Sequence, residues 1–103
     1  MKLTDLKPEA VWRHFEAITH IPRPSHHEAE IRQYVIDFAA AQGLECVVDD
    51  ACNVLVRKPA TAGMEDRKGI VLQAHLDMVP QKNNDKEFDF INDPIEAYID
   101  GEW

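Results

Sequence analysis

Residues 69–80 are the segment that most constrains the fold of this chain. The segment opens with residues 70–72, Ile-Val-Leu, an apolar and mostly β-branched run typical of a buried strand. It ends in an imidazole and a carboxylate, those of His75 and Asp77, instead of in turn residues. Open α/β sheets bind their ligands at the carboxyl ends of strands, which is where this pair would lie. The segment therefore predicts a strand in an α/β fold that carries functional groups at its end.

His75 and Asp77 have the chemistry of a metal ligand and its supporting carboxylate. Alternate side chains of a strand share one face, so the two would lie roughly 6–7 Å apart along the backbone. A metal-bound histidine usually donates its second ring N–H to a carboxylate or carbonyl, which fixes the tautomer and makes the ligand more basic. The pattern is short, and a hydrogen-bonded surface pair is its alternative interpretation. The apolar run before it favours the metal site.

Longer phrases around this pair resemble one protein family. The matching phrases are residues 53–65 and 71–83, with further matches at residues 21–25, 93–95 and 98–103. They resemble the N-terminal part of the bacterial aminoacyl-histidine dipeptidases, also called Xaa-His dipeptidases or cytosolic non-specific dipeptidases. The wider group of zinc peptidases and deacylases shares only His75-Leu76-Asp77, so the longer phrases favour the dipeptidase branch.

The resemblance implies a hydrolase, a metallopeptidase that as a full-length enzyme hydrolyses small dipeptides, including Xaa-His dipeptides. It implies two zinc ions, with cobalt or manganese as alternative metals, and it leaves a homodimer open. His75 matches a metal ligand of the family, and Asp77 matches the catalytic acidic residue that orients this ligand. The family's other ligands and its general-base Glu have no counterpart here. We therefore expect residues 1–103 to be the N-terminal portion of a metallopeptidase catalytic domain, incomplete and inactive alone.

Two alternatives remain open at this point. A related zinc deacylase or aminopeptidase would keep His75-Leu76-Asp77, although it would lack the continuation through residues 78–83. A non-enzymatic α/β binding module would use His75 and Asp77 as a simple hydrogen-bonded pair.

The C-terminal residues give a separate indication that the chain is a fragment. Residues 98–103 are typical of a strand that enters an Asp-Gly turn, yet no return strand follows. The alternative interpretation is a frayed tail with an incidental Asp-Gly pair.

Composition limits the class of partner and the compartment. The net charge of −8 and the lack of a basic cluster argue against nucleic acid and anionic membranes as partners. The chain shows no leader peptide and no apolar stretch of about 20 residues, the length that spans a bilayer, so we expect a cytoplasmic protein. Cys46 and Cys52 lack a metal-finger spacing, and we expect both to be reduced and structural.

The sequence predicts two helices before the functional strand. The first is predicted over residues 7–20, with Pro8 at its first helical position. Pro22 and Pro24 then enforce an extended connector. Ser25 and Glu28 have the spacing of a capping box that opens the second helix, and a later glycine, Gly43, is its predicted C-terminal cap. The apolar faces of the helices predict that four side chains are buried: those of Phe15, Ile31, Val35 and Phe38.

Residues 44–48 and 53–58 are predicted to form a hairpin beside the strand at residues 70–72. With the two helices covering the sheet, the predicted fold class is α/β: a partial, helix-covered mixed sheet, the N-terminal part of a zinc-peptidase catalytic domain. Residues 81–94 are polar and mixed in charge, and they suit either a substrate-side loop or a solvated connection.

Overall fold

The computed structural model describes residues 1–103 and contains two α-helices and one hairpin. In chain order, the elements are a 3₁₀ turn at Leu3–Asp5, helix α1 at Glu9–Thr19, helix α2 at Ala29–Ala41, strand β1 at Glu45–Val48 and strand β2 at Val54–Arg57. The chain divides into two compact units: a first unit of Met1–Ile31 with Asp77–Trp103, and a second unit of Arg32–Leu76. The predicted α/β class is confirmed.

Helix α1 begins later than predicted. Pro8 has an extended backbone, with φ −70° and ψ 132°, and caps the helix that starts at Glu9. The rings of Trp12 and Phe15 meet edge to face, with centroids 5.8 Å apart. Phe15 is nevertheless 42% exposed, so its predicted burial is wrong. Helical spacing shows which face is apolar, whereas burial also requires other residues that cover the face.

Helix α2 ends as the sequence predicts. Gly43 follows the helix with φ +68°, a left-handed conformation that glycine adopts without a Cβ clash. Its N–H donates to the carbonyl of Ala40, and the N–H of Leu44 donates to the carbonyl of Ala39. These two bonds are the Schellman pattern, which satisfies carbonyls at the helix end.

The buried face of α2 is narrower than predicted. Ile31 is buried as expected, Ala39 is fully buried, and Val35 is half-buried. Phe38 is 42% exposed, so its predicted burial is wrong for the same reason as that of Phe15.

No helix of the protein combines the length and the hydrophobicity needed to cross a bilayer.

The predicted hairpin is confirmed in the second unit. Strands β1 and β2 pair antiparallel, with Cys46 opposite Val56. Asp49 closes the connection, because its carboxylate accepts the backbone N–H of Asn53 at 2.8 Å and its side-chain amide at 3.0 Å. These bonds stabilise the ionised form and lower the pKa of Asp49. Cys52 is exposed in this turn, with φ +67°, and the thiols of Cys46 and Cys52 are both free.

Residues 69–77 form no strand, and the sheet contains only β1 and β2. The predicted strand at residues 70–72 is therefore wrong for this structure. Ile70, Val71 and Leu72 are 83%, 84% and 90% exposed. A strand is stabilised by a ladder of hydrogen bonds to a neighbour, and the sheet of this chain provides no strand beside the run.

The C-terminal turn forms without the predicted strand before it. Asp100 and Trp103 exchange both backbone hydrogen bonds at 2.9 Å, as hairpin partners do. Gly101, with φ +61°, occupies the first central position of the turn. Glycine at this position is typical of a two-residue type II′ connection.

Candidate functional site

Asp77 lies half-buried in the first unit, where it accepts a hydrogen bond from a residue distant in sequence. The Ser25 hydroxyl donates to the Oδ2 atom of Asp77 at 2.6 Å. This length is at the short end of the range of O–H···O hydrogen bonds. Ser25 was predicted to cap helix α2, and that prediction is wrong because its hydroxyl serves Asp77 instead.

The backbone next to Asp77 is fixed by the connector between the helices. The Met78 N–H donates to the carbonyl of Arg23 at 2.9 Å, and the Ser25 N–H donates to the carbonyl of Met78 at 3.2 Å. These bonds flank a parallel bridge between Pro24 and Met78. Pro24 lacks an N–H and tolerates such a position, because the bonds are made by its neighbours. The connector therefore holds the residue after Asp77 like a short strand.

Arg23 anchors the connector to the end of helix α1. Its guanidinium donates to the carbonyls of Ile18 and Ile21. Desolvation by partial burial lowers the pKa of Arg23, although an arginine remains protonated in proteins. A cation at the C-terminal end of a helix interacts favourably with the helix dipole and satisfies terminal carbonyls. The end of α1 thus positions the connector that holds Asp77.

A tight turn at Pro24–His27 points the connector into helix α2. The His27 N–H donates to the carbonyl of Pro24 at 2.9 Å, and His26 has φ +73°. This positive φ at the third turn residue is the type II pattern, which favours glycine or asparagine there. His26 and His27 are both exposed.

His75 is exposed and belongs to the second unit, two residues before Asp77. The metal role predicted for His75, and the orienting role predicted for Asp77, stay predictions. No group of three or more His, Cys, Asp or Glu side chains is arranged to hold a metal ion among the 103 residues. Because a zinc centre typically takes three or four protein ligands, the residues of this chain alone do not fit a two-zinc centre.

A groove of about 420 Å³ lies in the first unit beside the residues that follow Asp77. Its lining is mainly apolar, with two lysines and one aspartate among its polar groups. The residues that line it include Pro22, Pro24, Met78, Val79, Lys82, Lys86, Phe88, Phe90, Asp93 and Ile95. Residues 81–83, 86, 88, 90 and 93 of the polar segment 81–94 contribute to this lining.

Residues 88–95 owe their shape to a turn centred on Asp89. Its carboxylate accepts the N–H of Ile91 at 2.9 Å and the side-chain amide of Asn92 at 2.8 Å. These bonds lower the pKa of Asp89, that from Asn92 most of all. The N–H of Ile95 then donates to the carbonyl of Thr19 at 2.9 Å, which ties the segment to the end of α1.

The role of Ser25 was missed by sequence reasoning, although a signal existed. Residues 21–25 belong to the phrases that resemble the dipeptidases, and two prolines fix an extended approach to Ser25. The local capping-box spacing suggested a nearer partner than Asp77, which is 52 residues away.

Comparison with known proteins supports the predicted resemblance. The chain is 54% identical over 102 residues to the cytosol non-specific dipeptidase of Escherichia coli (strain K12), which is 99% of this chain and 21% of that protein. It matches the crystal structure of aminoacylhistidine dipeptidase from Vibrio alginolyticus with a TM-score of 0.95 and 50% identity, over 100% of this chain and 21% of the other. No family model matches the chain.

The chain spans about a fifth of the length of these two relatives. At 50% identity and a TM-score of 0.95, the chain resembles the Vibrio alginolyticus structure in both sequence and fold. The resemblance predicted from the sequence is confirmed: along its whole length, this chain is similar to about one fifth of a bacterial dipeptidase of the aminoacyl-histidine type.

Proposed function

We propose that these residues are part of a longer metal-dependent dipeptidase, and that both units belong to the N-terminal portion of its catalytic domain. The observation that carries the proposal is the 54% identity, over 99% of the chain, to a cytosol non-specific dipeptidase. The name of this relative also supports a cytoplasmic location. The two alternative functions, a deacylase or aminopeptidase and a binding module, gain no support from the comparisons.

His75 is the proposed metal ligand, and Asp77 is the proposed residue that orients it. Their separation of two residues lets an extended backbone bring an imidazole and a carboxylate to one face. The observation that supports the role of Asp77 is its fixed position, with Ser25 on its carboxylate and a backbone bridge at Met78.

The proposed metal is zinc, as two ions in the longer protein, with cobalt or manganese as alternatives. Such ions polarise a scissile carbonyl and generate a nucleophile from water at neutral pH. Because this chain supplies too few ligands for two ions, the remaining ligands and a general base are assigned to the parts of the enzyme outside it.

The proposed substrates are dipeptides, including dipeptides with a C-terminal histidine. This choice follows the names of the two relatives, one a non-specific dipeptidase and the other an aminoacylhistidine dipeptidase. A homodimer of the longer protein rests on the sequence resemblance alone.

The test is a substrate and variant series in the longer protein. Wild type should hydrolyse Ala-His and β-alanyl-histidine after zinc is added, and it should leave N-acyl amino acids intact. His75→Ala should lower kcat/KM by about 100-fold or more, because loss of a metal ligand removes an interaction that the transition state needs. His27→Ala is the matched control, since His27 is exposed and outside the proposed site. Hydrolysis of N-acyl amino acids instead of dipeptides would contradict the proposal.

A further inference from the structure

We propose that Ser25 is a positioning residue for Asp77: its hydroxyl fixes the orientation of the carboxylate on which the imidazole of His75 depends. This inference rests on the proposed function, and it deepens that function by giving a role to a residue outside the pair of His75 and Asp77. The contact joins the connector between the helices to Asp77, 52 positions later in the sequence.

The geometry of the contact suits an orienting role. The donor and acceptor are 2.6 Å apart, and both residues are half-buried. Partial burial reduces competition from water, which strengthens a hydrogen bond to a charged acceptor. The bond occupies Oδ2 of Asp77, and it thereby restricts the rotation of the carboxylate about its terminal torsion, which is otherwise broad.

Hydrogen bonds hold the backbone of Ser25 in place, so the position from which its hydroxyl extends is fixed. Its N–H donates to the carbonyl of Met78, and the N–H of Met78 donates to the carbonyl of Arg23. Neither bond uses the Ser25 side chain. Removal of the hydroxyl therefore leaves the connector attached, and the change should affect the orientation of Asp77 more than folding.

The competing role of Ser25, as the cap of helix α2, does not agree with the structure. Helix α2 begins at Ala29, and the carboxylate of Glu28 accepts the N–H of His26 at 2.8 Å. The connector also places His26 at φ +73°, a conformation that costs a non-glycine residue free energy. Backbone strain of this kind clusters at functional sites, where it accompanies a fixed geometry.

The test uses four variants of the longer protein and three measurements. The variants are Ser25→Ala, Ser25→Thr, Ser25→Cys and Thr19→Val. The measurements are kcat and KM on Ala-His, zinc affinity by competition with a chelator, and the melting temperature of the metal-free protein. Thr19→Val is the matched control, because the Thr19 hydroxyl also makes a 2.6 Å hydrogen bond, but to the carbonyl of Glu16.

Ser25→Ala should lower both kcat and zinc affinity by about 10-fold, with KM nearly unchanged, as loss of a partner behind a metal ligand typically does. Ser25→Thr, which keeps the hydroxyl, should have a kcat and a zinc affinity within about 3-fold of the wild-type values. Ser25→Cys should resemble Ser25→Ala, because a thiol is a weak donor. Thr19→Val should lower the melting temperature and leave kcat and zinc affinity as they are.

Three results would overturn the inference. In an active wild-type enzyme, Ser25→Ala or Ser25→Cys with normal kcat and normal zinc affinity would show that the hydroxyl orients nothing of consequence, and the proposed function would stand. Ser25→Thr as defective as Ser25→Ala would show that the hydroxyl is not what matters. A longer protein with no metal-dependent dipeptide hydrolysis would overturn the proposed function and this inference together. If Ser25→Ala fails to fold, Ser25→Thr and Ser25→Cys decide.

Discussion

Residues 70–72 and residues 77–78 lie close in sequence, yet they differ in how far contacts with the rest of the protein hold them in place. Residues 70–72 form an apolar run that is more than four-fifths exposed. Residues 77–78 are fixed by a side-chain hydrogen bond to Ser25 and by a backbone bridge to Pro24. The carboxylate of Asp77 is therefore held by polar contacts within the first unit.

The apolar run at residues 70–72 needs other residues to cover it. Side chains such as Val71 gain their stabilisation from removal of apolar surface from water, which needs covering residues on both faces of a buried strand. This chain leaves that surface exposed. Asp77 and Met78 are thus held by hydrogen bonds within the first unit, whereas the side chains of residues 70–72 remain exposed.

The largest expected effect concerns the catalytic activity of the 103-residue chain and of the longer protein. We expect the 103-residue chain, supplied with zinc, manganese or cobalt, to show no hydrolysis of Ala-His above buffer, because it brings too few ligands together. The longer protein should hydrolyse the same substrate under the same conditions. Metal-dependent activity of the short chain that survives repurification and disappears in His75→Ala would mean that the anchored region is already a complete site.

Substitution of the anchored carboxylate should have the next largest effect. Asp77→Asn in the longer protein should lower turnover by about 10–100-fold, because a neutral amide cannot supply the negative charge that supports a metal-bound imidazole. The melting temperature should change far less. Paired kinetics and thermal melts measure both quantities, and wild-type turnover at full metal occupancy would show that Asp77 has no part in catalysis.

A substitution in the apolar run at residues 70–72 should affect the stability of the short chain and of the longer protein differently. Val71→Ser in the 103-residue chain should change the free energy of unfolding by no more than about 0.5 kcal/mol, since Val71 is 84% exposed. In the longer protein, the same change should cost about 1.5–3 kcal/mol if the run is buried there. Urea unfolding of both proteins measures the two values. Val11→Ser, at an exposed position of α1, is the control and should have a small effect in each; equal effects of Val71→Ser would count against burial of the run.

The smallest expected effect concerns the tight turn at Pro24–His27, between the connector and helix α2. His26→Gly should relieve the positive φ, which costs about 1–2 kcal/mol, while the added freedom of the unfolded chain offsets about 0.5–1 kcal/mol. We expect a net stabilisation of no more than about 1 kcal/mol, measured by urea unfolding. His27→Gly has no positive φ to relieve and should be destabilising. If both changes destabilise equally, the turn is not strained at His26.

Local sequence patterns predicted the local structure of this chain well. The Schellman end at Gly43 and the hairpin of β1 and β2 depend on residues within a few positions of one another. Their signals, a glycine after an apolar helix and two β-branched runs around Asp49, are therefore complete in the sequence. The α/β class followed from these elements.

Long-range contacts explain the remaining differences. The Ser25 hydroxyl had a nearby competitor in the capping-box pattern, and no local rule shows that a carboxylate 52 residues later takes precedence. The exposure of Phe15 and Phe38 has a related cause, because periodicity identifies an apolar face and contains no information about what covers it. Asp77 was singled out by its position after an apolar run, whereas the serine that donates to its carboxylate was not.

The contact between Ser25 and Asp77 closes a loop of 52 residues that contains the entire second unit. In polymer terms, the entropy lost when such a loop closes costs about 3–4 kcal/mol, and the cost rises by only about 0.6 kcal/mol for each doubling of length. The exposed residues 59–68 lie within this loop. Insertions there would therefore change the closure entropy by a small fraction of a kcal/mol. Evolution can vary the length of this part of the chain while the carboxylate and its serine remain together.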